Sequence, residues 1–255
     1  KMLIILLPNM KHNYFNILSL TILFVFTLSN YAFSKQEIYS VFAKLPLLGE
    51  IEVQKIITEL DFNENLFEYL YNVNPTRVVD FFDDKVSSGY IKGELKNNSI
   101  ETIEYFYETK KEDFKRIIKF EYLDGVIENV FIEPIYNTSK ITNVSEEMIK
   151  SSIDPVTMFY LITSFEFIKG CDKVMNVYDG KRRYNLILSE PIESETTYSC
   201  TLTHQKVAGY KNKKIIEDEK YISDLNFFLN DNQTYEFNDV SLRNENLDLI
   251  IRKIR

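Results

Sequence analysis

Apolar and polar residues alternate with period two along most of the chain beyond residue 35, the pattern of strands with one buried and one wet face. Phe67, Tyr69, Tyr71 and Val73 share one parity, with Glu68 and Asn72 on the other. Ile103, Tyr105 and Tyr107 alternate with Thr102, Glu104 and Glu108; Ile118, Phe120 and Tyr122 alternate with Lys119 and Glu121. Tyr198, Cys200, Leu202 and His204 form a fourth such face. These runs predict strands near 37–45, 49–60, 65–74, 77–93, 100–109, 113–123, 126–134, 172–178, 181–189, 195–208, 222–229 and 233–254, the last divisible into two. Alternation of this kind belongs to antiparallel rather than helix-covered parallel sheets.

Punctuation between the runs supports a meander. Asp124-Gly125 and Asp179-Gly180 each supply the positive φ angles of a type I′ turn, and Leu45-Pro46-Leu47-Leu48-Gly49 reads as a looser hairpin. One element breaks the pattern. Asp154 before Pro155 is an N-cap followed by proline at N1, and Val156–Ile168 stays apolar until Gly170. With a short helical lead-in at 145–152, the stretch near 145–169 reads as a helical insertion between two β blocks. A helix this apolar must be buried, against or inside a curved sheet.

The first 34 residues differ in kind. Residues 17–28 are an uncharged apolar run of about 12 residues, preceded by Lys11 and His12 and followed by Ala32-Phe33-Ser34. That layout predicts a secretory signal peptide cut before Lys35, and the run is short of the roughly 20 residues of a stable membrane span. An uncleaved anchor is the alternative, and the sole route by which the chain would meet a membrane. Translation is expected to start at Met10. The remainder, 35–255, reads as a single mainly β domain without repeats or linkers.

Composition narrows the chemistry. With 45% apolar and 27% charged residues the chain is globular rather than disordered. A net charge of −8, becoming −10 after removal of 1–34, argues against a nucleic-acid partner. The seven glycines form neither a dinucleotide fingerprint nor a phosphate loop, so no cofactor is expected. Past residue 34 one histidine, His204, and two cysteines remain, too few for a zinc site, and no calcium loop appears. No G-x-S-x-G elbow serves nucleophilic hydrolysis, and His204 reads as a half-buried strand residue. We therefore expect no catalytic, cofactor or metal residues.

Four ordered segments carry a resemblance. They are Tyr39–Glu50 (YSVFAKLPLLGE), Ser88–Gly93 (SGYIKG), Asp154-Pro155-Val156, and Cys171 through Val177–Tyr184 (VYDGKRRY) to Cys200 and Val207–Tyr210 (VAGY). Behind a signal segment, the chain from about residue 37 resembles the bacterial exported domain-of-unknown-function family 3108. The resemblance implies a periplasmic, cell-envelope protein. Its fold would be a strongly curved antiparallel sheet or open β-barrel wrapped around one helix, similar in build to periplasmic lipoprotein carriers.

Two features invite a functional reading. Cys171 and Cys200 would face an oxidising compartment, where an even pair favours a disulfide over two buried thiols. In a plain meander their strands lie two apart, about 9.6 Å, beyond the roughly 7 Å a disulfide tolerates. Bonding thus requires Cys171 to lie beyond the ladder or the strand order to be non-sequential. The second feature is the 178–184 hairpin. Parity puts Arg182 with Tyr184, Leu186 and Leu188 on the apolar face and Arg183 with Asn185 on the other. An inward guanidinium needs a partner. Asp179 or a neighbouring acid is one choice; the anionic head of a ligand is the other, with Lys181 and Arg183 adding field and Tyr178 and Tyr184 as walls.

Three functions follow in order. The first is a non-enzymatic binding or envelope-maintenance protein taking a lipid, an acyl chain or a lipidated partner. The second is a structural module with a filled core whose strand edges bind an envelope protein. The third is a hydrolase of envelope glycans or lipids working through paired inward carboxylates.

Overall fold

The computed structural model describes residues 33–45, 49–63, 65–76, 85–96, 99–211, 221–242 and 248–254. The targeting segment expected over 1–34 lies outside them but for its last two residues, with which the first strand begins. Residues 46–48 and 77–84 of the expected loop and strand also lie outside.

The described strands are β1 (Phe33–Leu45), β2 (Gly49–Asn63), β3 (Leu66–Pro75), β4 (Val86–Lys96), β5 (Ser99–Lys111), β6 (Phe114–Leu123), β7 (Val126–Glu133), β8 (Lys173–Tyr178), β9 (Arg183–Glu193), β10 (Thr197–Ala208), β11 (Tyr221–Leu229), β12 (Tyr235–Leu242) and β13 (Asp248–Ile254). All thirteen form one antiparallel sheet in the order β7-β6-β5-β4-β3-β2-β1-β13-β12-β11-β10-β9-β8. The order is sequential except that β1 also pairs with β13, Val41 opposite Ile251. The sheet is therefore one meander whose chain ends meet in its middle.

Residues 134–172 carry the chain from one sheet edge, β7, to the other, β8, through α1 (Glu146–Lys150), α2 (Pro155–Ile162) and α3 (Phe165–Ile168). The expected single helix is divided. Thr163 Oγ1 donates to the Tyr160 carbonyl, 2.9 Å, a side-chain bond that competes with the next helical turn, and α3 restarts at Phe165. The division lets two aromatic sets face different walls. Phe159 meets Tyr39 and Tyr71 edge-on at 5.3 and 6.0 Å, while Phe165 lies 4.5 Å from Tyr235 and 5.1 Å from Tyr198.

The helices sit inside the curve of the sheet. Among the described residues no strand pair closes the hoop; the residues before α2 bridge its ends. Ile153 N donates to the Asn176 carbonyl (2.8 Å) and Tyr178 N to the Ile153 carbonyl (2.9 Å), which satisfies the free edge of β8. On the opposite side Tyr122 of β6 donates its hydroxyl to Asp154 Oδ2, 2.9 Å, and accepts from Asp154 N, 3.1 Å. Phe120 and Tyr178 stack across the seam at 5.5 Å. The architecture is mainly β, a barrel-like antiparallel sheet left open and filled in part by helices.

Two local expectations need correction. Asp124-Gly125 has both φ angles positive (52° and 75°), as a type I′ turn requires, but Asp179-Gly180 opens a longer loop because Tyr178 pairs with Arg183. There Asp179 Oδ1 accepts from the amides of Lys181 (2.9 Å) and Arg182 (2.6 Å), an Asx turn in place of a two-residue reversal. Ile103 does not share the inner face with Tyr105: a bulge between the Lys92 and Gly93 pairings leaves it 44% exposed and turns Thr102 inward.

The cysteines are bonded, with Cα atoms 5.8 Å apart. Cys171 lies before β8, outside its ladder, on a loop folded back by Gly170 and Cys171 at φ 85° and 52°. Cys200 faces a β9 bulge at Glu190-Pro191, where pairing jumps from Ile192 to Ser189. Proline donates nothing to the ladder, so the interruption costs little and leaves room for the crossing sulfur. Bridging residues 29 apart removes loop entropy from the unfolded chain. Cys171→Ala with Cys200→Ala is expected to lose about 3 kcal/mol of unfolding free energy. Urea denaturation with and without reductant checks this; equal midpoints for wild type and variant under oxidising conditions would contradict it.

Candidate functional site

Where α2 fails to fill the sheet, two adjoining cavities remain. The first, 450 Å³, lies between α2 and strands β9–β13, walled by Leu186, Leu202, Val240, Leu242, Leu249 and Ile251. The second, 430 Å³, lies between α2 and the inner faces of β2, β3, β5 and β6, with Tyr71, Tyr105, Tyr107 and Tyr136 among its walls and Lys85, Arg116 and Arg182 as its cations. Met158, Phe159, Asp179, Arg182, Tyr184 and Ile251 line both. Each volume lies within the roughly 300–1,000 Å³ of small-molecule sites.

The hairpin residues distribute unevenly around this space. Arg182 and Tyr184 line both cavities, whereas Tyr178 and Arg183 line neither. Arg182 Nε donates to Asp179 Oδ2 at 2.9 Å, its side chain still 52% exposed. Burial works against its charge, but the Asp179 carboxylate outweighs that and raises its pKa. Lys181 holds its ammonium 5.3 Å above the Tyr136 ring. Arg183, only 5% exposed, turns to the other face, where Nη1 donates to the Tyr184 carbonyl (2.7 Å) and Asn185 Oδ1 (2.6 Å). Burial lowers its pKa. Tyr178 donates to the Gly180 carbonyl, 2.9 Å, and burial pushes its pKa up to about 12, so it belongs to the seam.

His204, half-buried at the wall of the first cavity, stacks on Tyr184 with ring centroids 4.8 Å apart. Burial first, then Lys206 and Arg182, lower its pKa to about 4, so the imidazole is neutral near pH 7. A depressed base contributes stability above its unfolded pKa of 6.5 and loses it as pH falls toward 4.

Arg116 is the residue sequence reasoning passed over. It shares parity with Ile118 and Phe120, both inner-face residues, and that signal was available. Its guanidinium lies 3.9 Å from the Tyr136 ring centroid and 4.9 Å from that of Phe114. Its Nε is buried without a hydrogen-bond partner, and no carboxylate of the described residues pairs with it.

Among the described residues, acids suited to paired-carboxylate chemistry are not gathered here. Asp179 is committed to its turn and Arg182. Asp154, fully buried, has its pKa raised by burial but lines neither cavity and spends both oxygens on the start of α2. Among the described residues no three His, Cys, Asp or Glu side chains stand close enough to hold a metal ion, and no helix is long and apolar enough to cross a membrane.

No family model matches the chain, and no curated protein matches it. Among solved structures, the chain is similar to the crystal structure of a beta-barrel-like protein of Domain of Unknown Function DUF1849 from Brucella abortus, with 8% sequence identity, 89% of this chain and 98% of that chain covered, and a TM-score of 0.48.

Proposed function

We propose that the protein is an exported, non-enzymatic binding module that holds an apolar, lipid-like ligand between α2 and the concave face of β9–β13. The observation that carries this reading is the 450 Å³ cavity with its aliphatic wall. A module whose helices filled the sheet would leave no such space. Burial of ligand surface there gains roughly 25 cal/mol per Å². Membership of domain-of-unknown-function family 3108 and a periplasmic address belong to the same proposal. The four ordered segments support the first, and the Cys171–Cys200 bond is consistent with an oxidising compartment.

Native mass spectrometry of the protein purified from a bacterial periplasm, before and after organic extraction, tests the reading. A discrete extra mass that leaves with the solvent is expected. Leu202→Trp, which fills the cavity, is expected to carry less of it. A clean apo mass before extraction, together with no uptake of the neutral dye Nile red, would overturn the proposal.

A further inference from the structure

Resting on that reading, the geometry points to the kind of ligand: we infer that it is a single-chain amphiphile with an anionic head, and that Arg116 receives the head. The aliphatic cavity takes the acyl chain, and the head crosses the shared wall at Tyr184 and Arg182 into the second cavity.

The argument is one of unequal saturation. Among the described residues three cations line the second cavity, against one carboxylate, Asp179. That carboxylate is already bound to Arg182 and two backbone amides, so the charge of Arg182 is already paired. Arg116 is held differently. Tyr136 and Phe114 pack on its planar group and fix its position without neutralising it. Its Nε sits out of water with no acceptor. A buried donor of a charged group without an acceptor is costly, and an oxyanion removes that cost. A guanidinium presents a fork that matches both carboxylate and phosphate, so both heads share this chemistry. Lys181 also lies 5.3 Å from the Tyr136 ring centroid, which adds positive field near Arg116.

The two cavities divide polarity as such a ligand does. Aliphatic side chains gather on the β9–β13 side, while the four tyrosines named above, Thr109, Lys85 and Arg116 line the second cavity alone. A wholly apolar ligand would use the first and leave Arg116 in the second cavity unanswered.

Displacement of Nile red by laurate, lauryl phosphate and lauryl alcohol separates the two levels of the argument, because the dye and the alcohol report the apolar cavity alone. In the wild-type protein at least one anionic ligand is expected to bind about tenfold or more tighter than the alcohol, the scale of one charge-assisted hydrogen bond. The tighter of the two names the head. Arg116→Gln is expected to bring that ratio close to one while leaving the dye and alcohol affinities unchanged. Arg116→Lys should keep part of the preference, and guards against reading a folding defect as lost recognition. A wild-type ratio near one, or a ratio retained in Arg116→Gln, overturns the assignment while the cavity reading stands. Failure of dye and alcohol to bind at all overturns the cavity reading itself.

Discussion

Asp154→Ala is expected to lower the unfolding free energy by about 4–5 kcal/mol, because one carboxylate caps the start of a helix and ties it to β6 at one end of the sheet. Oδ1 accepts from the Val156 and Thr157 amides at 2.9 and 2.8 Å, the N-cap of α2. Oδ2 accepts from Thr157 Oγ1 at 2.6 Å and from the Tyr122 hydroxyl at 2.9 Å. Losing the cap costs about 1 kcal/mol, and each buried hydroxyl left without its acceptor adds about 1–3 kcal/mol. Tyr122 would then release the seam from the β6 side, and the damage is expected to reach the shared cavity wall through Pro155 and Met158. Asp154→Asn separates the parts: its carbonyl keeps the cap, and its amide can donate to hydroxyls that reverse their role. Urea denaturation of the two variants should rank alanine well below asparagine. A loss under about 1 kcal/mol for alanine would show that the cap and seam hold without this residue.

The same carboxylate carries a pH signature. Burial, the largest influence, raises its pKa above 3.8 despite four donors. The folded protein therefore binds the proton more tightly than the unfolded chain. Its contribution is greatest below pH 3.8 and declines as pH rises through the window above that value. Asp154→Asn has no such titration, so wild type and variant should diverge with pH in that window.

Strand content was legible because each strand has one wet face. The runs near 100–109 and 113–123 reappear as β5 and β6 within two residues at either end, and the final run divides at 242 and 248 as its length suggested. What alternation cannot report is an inserted residue. Ile103 looks inward by parity and is exposed because the bulge shifts the phase. The turn at Asp179 was misjudged for a related reason: its carboxylate binds the loop amides, so the loop is longer than the dipeptide suggests. The β1–β13 pairing joins segments more than 200 residues apart in sequence, and no local pattern encodes it.

The site was half legible. Parity alone put Arg182 on the wall with Tyr184 and Leu186. Applied one step further along β6, the same rule would have put Arg116 there as well. Its place next to Lys115 makes it look like part of an exposed basic pair, and only the Tyr136 ring, brought over by the 134–144 crossing, makes it an inner residue. Whether α2 would fill the sheet was beyond sequence, since a cavity is a difference between volumes that pattern does not measure.

Gly209→Ala is expected to cost about 3–4 kcal/mol and, unlike most core variants, to disturb ligand binding directly. Gly209 has φ +82°, where an L side chain is strained by about 1–2 kcal/mol. A Cβ there would lie 2.1 Å from the Lys181 carbonyl oxygen and 2.7 Å from Arg182 Cα. The obstacle is backbone, so no rotamer relieves it. Nor can Gly209 retreat, because its amide donates to Thr142 O (3.1 Å) and Oγ1 (3.0 Å), while Thr142 N donates to the Tyr210 carbonyl at 2.8 Å. The 179–182 loop must give way instead. That loop carries the Asp179–Arg182 pair, which lines both cavities, so its displacement widens the passage between them and removes the fixed cation at the shared wall. Nile red affinity should fall in Gly209→Ala, alongside a lower urea midpoint. Arg182→Gln, which removes the cation without moving backbone, should change the dye affinity less and the midpoint little. Native stability and unaltered dye affinity in Gly209→Ala would show that the hairpin is free to shift and that its packing does not set the cavity.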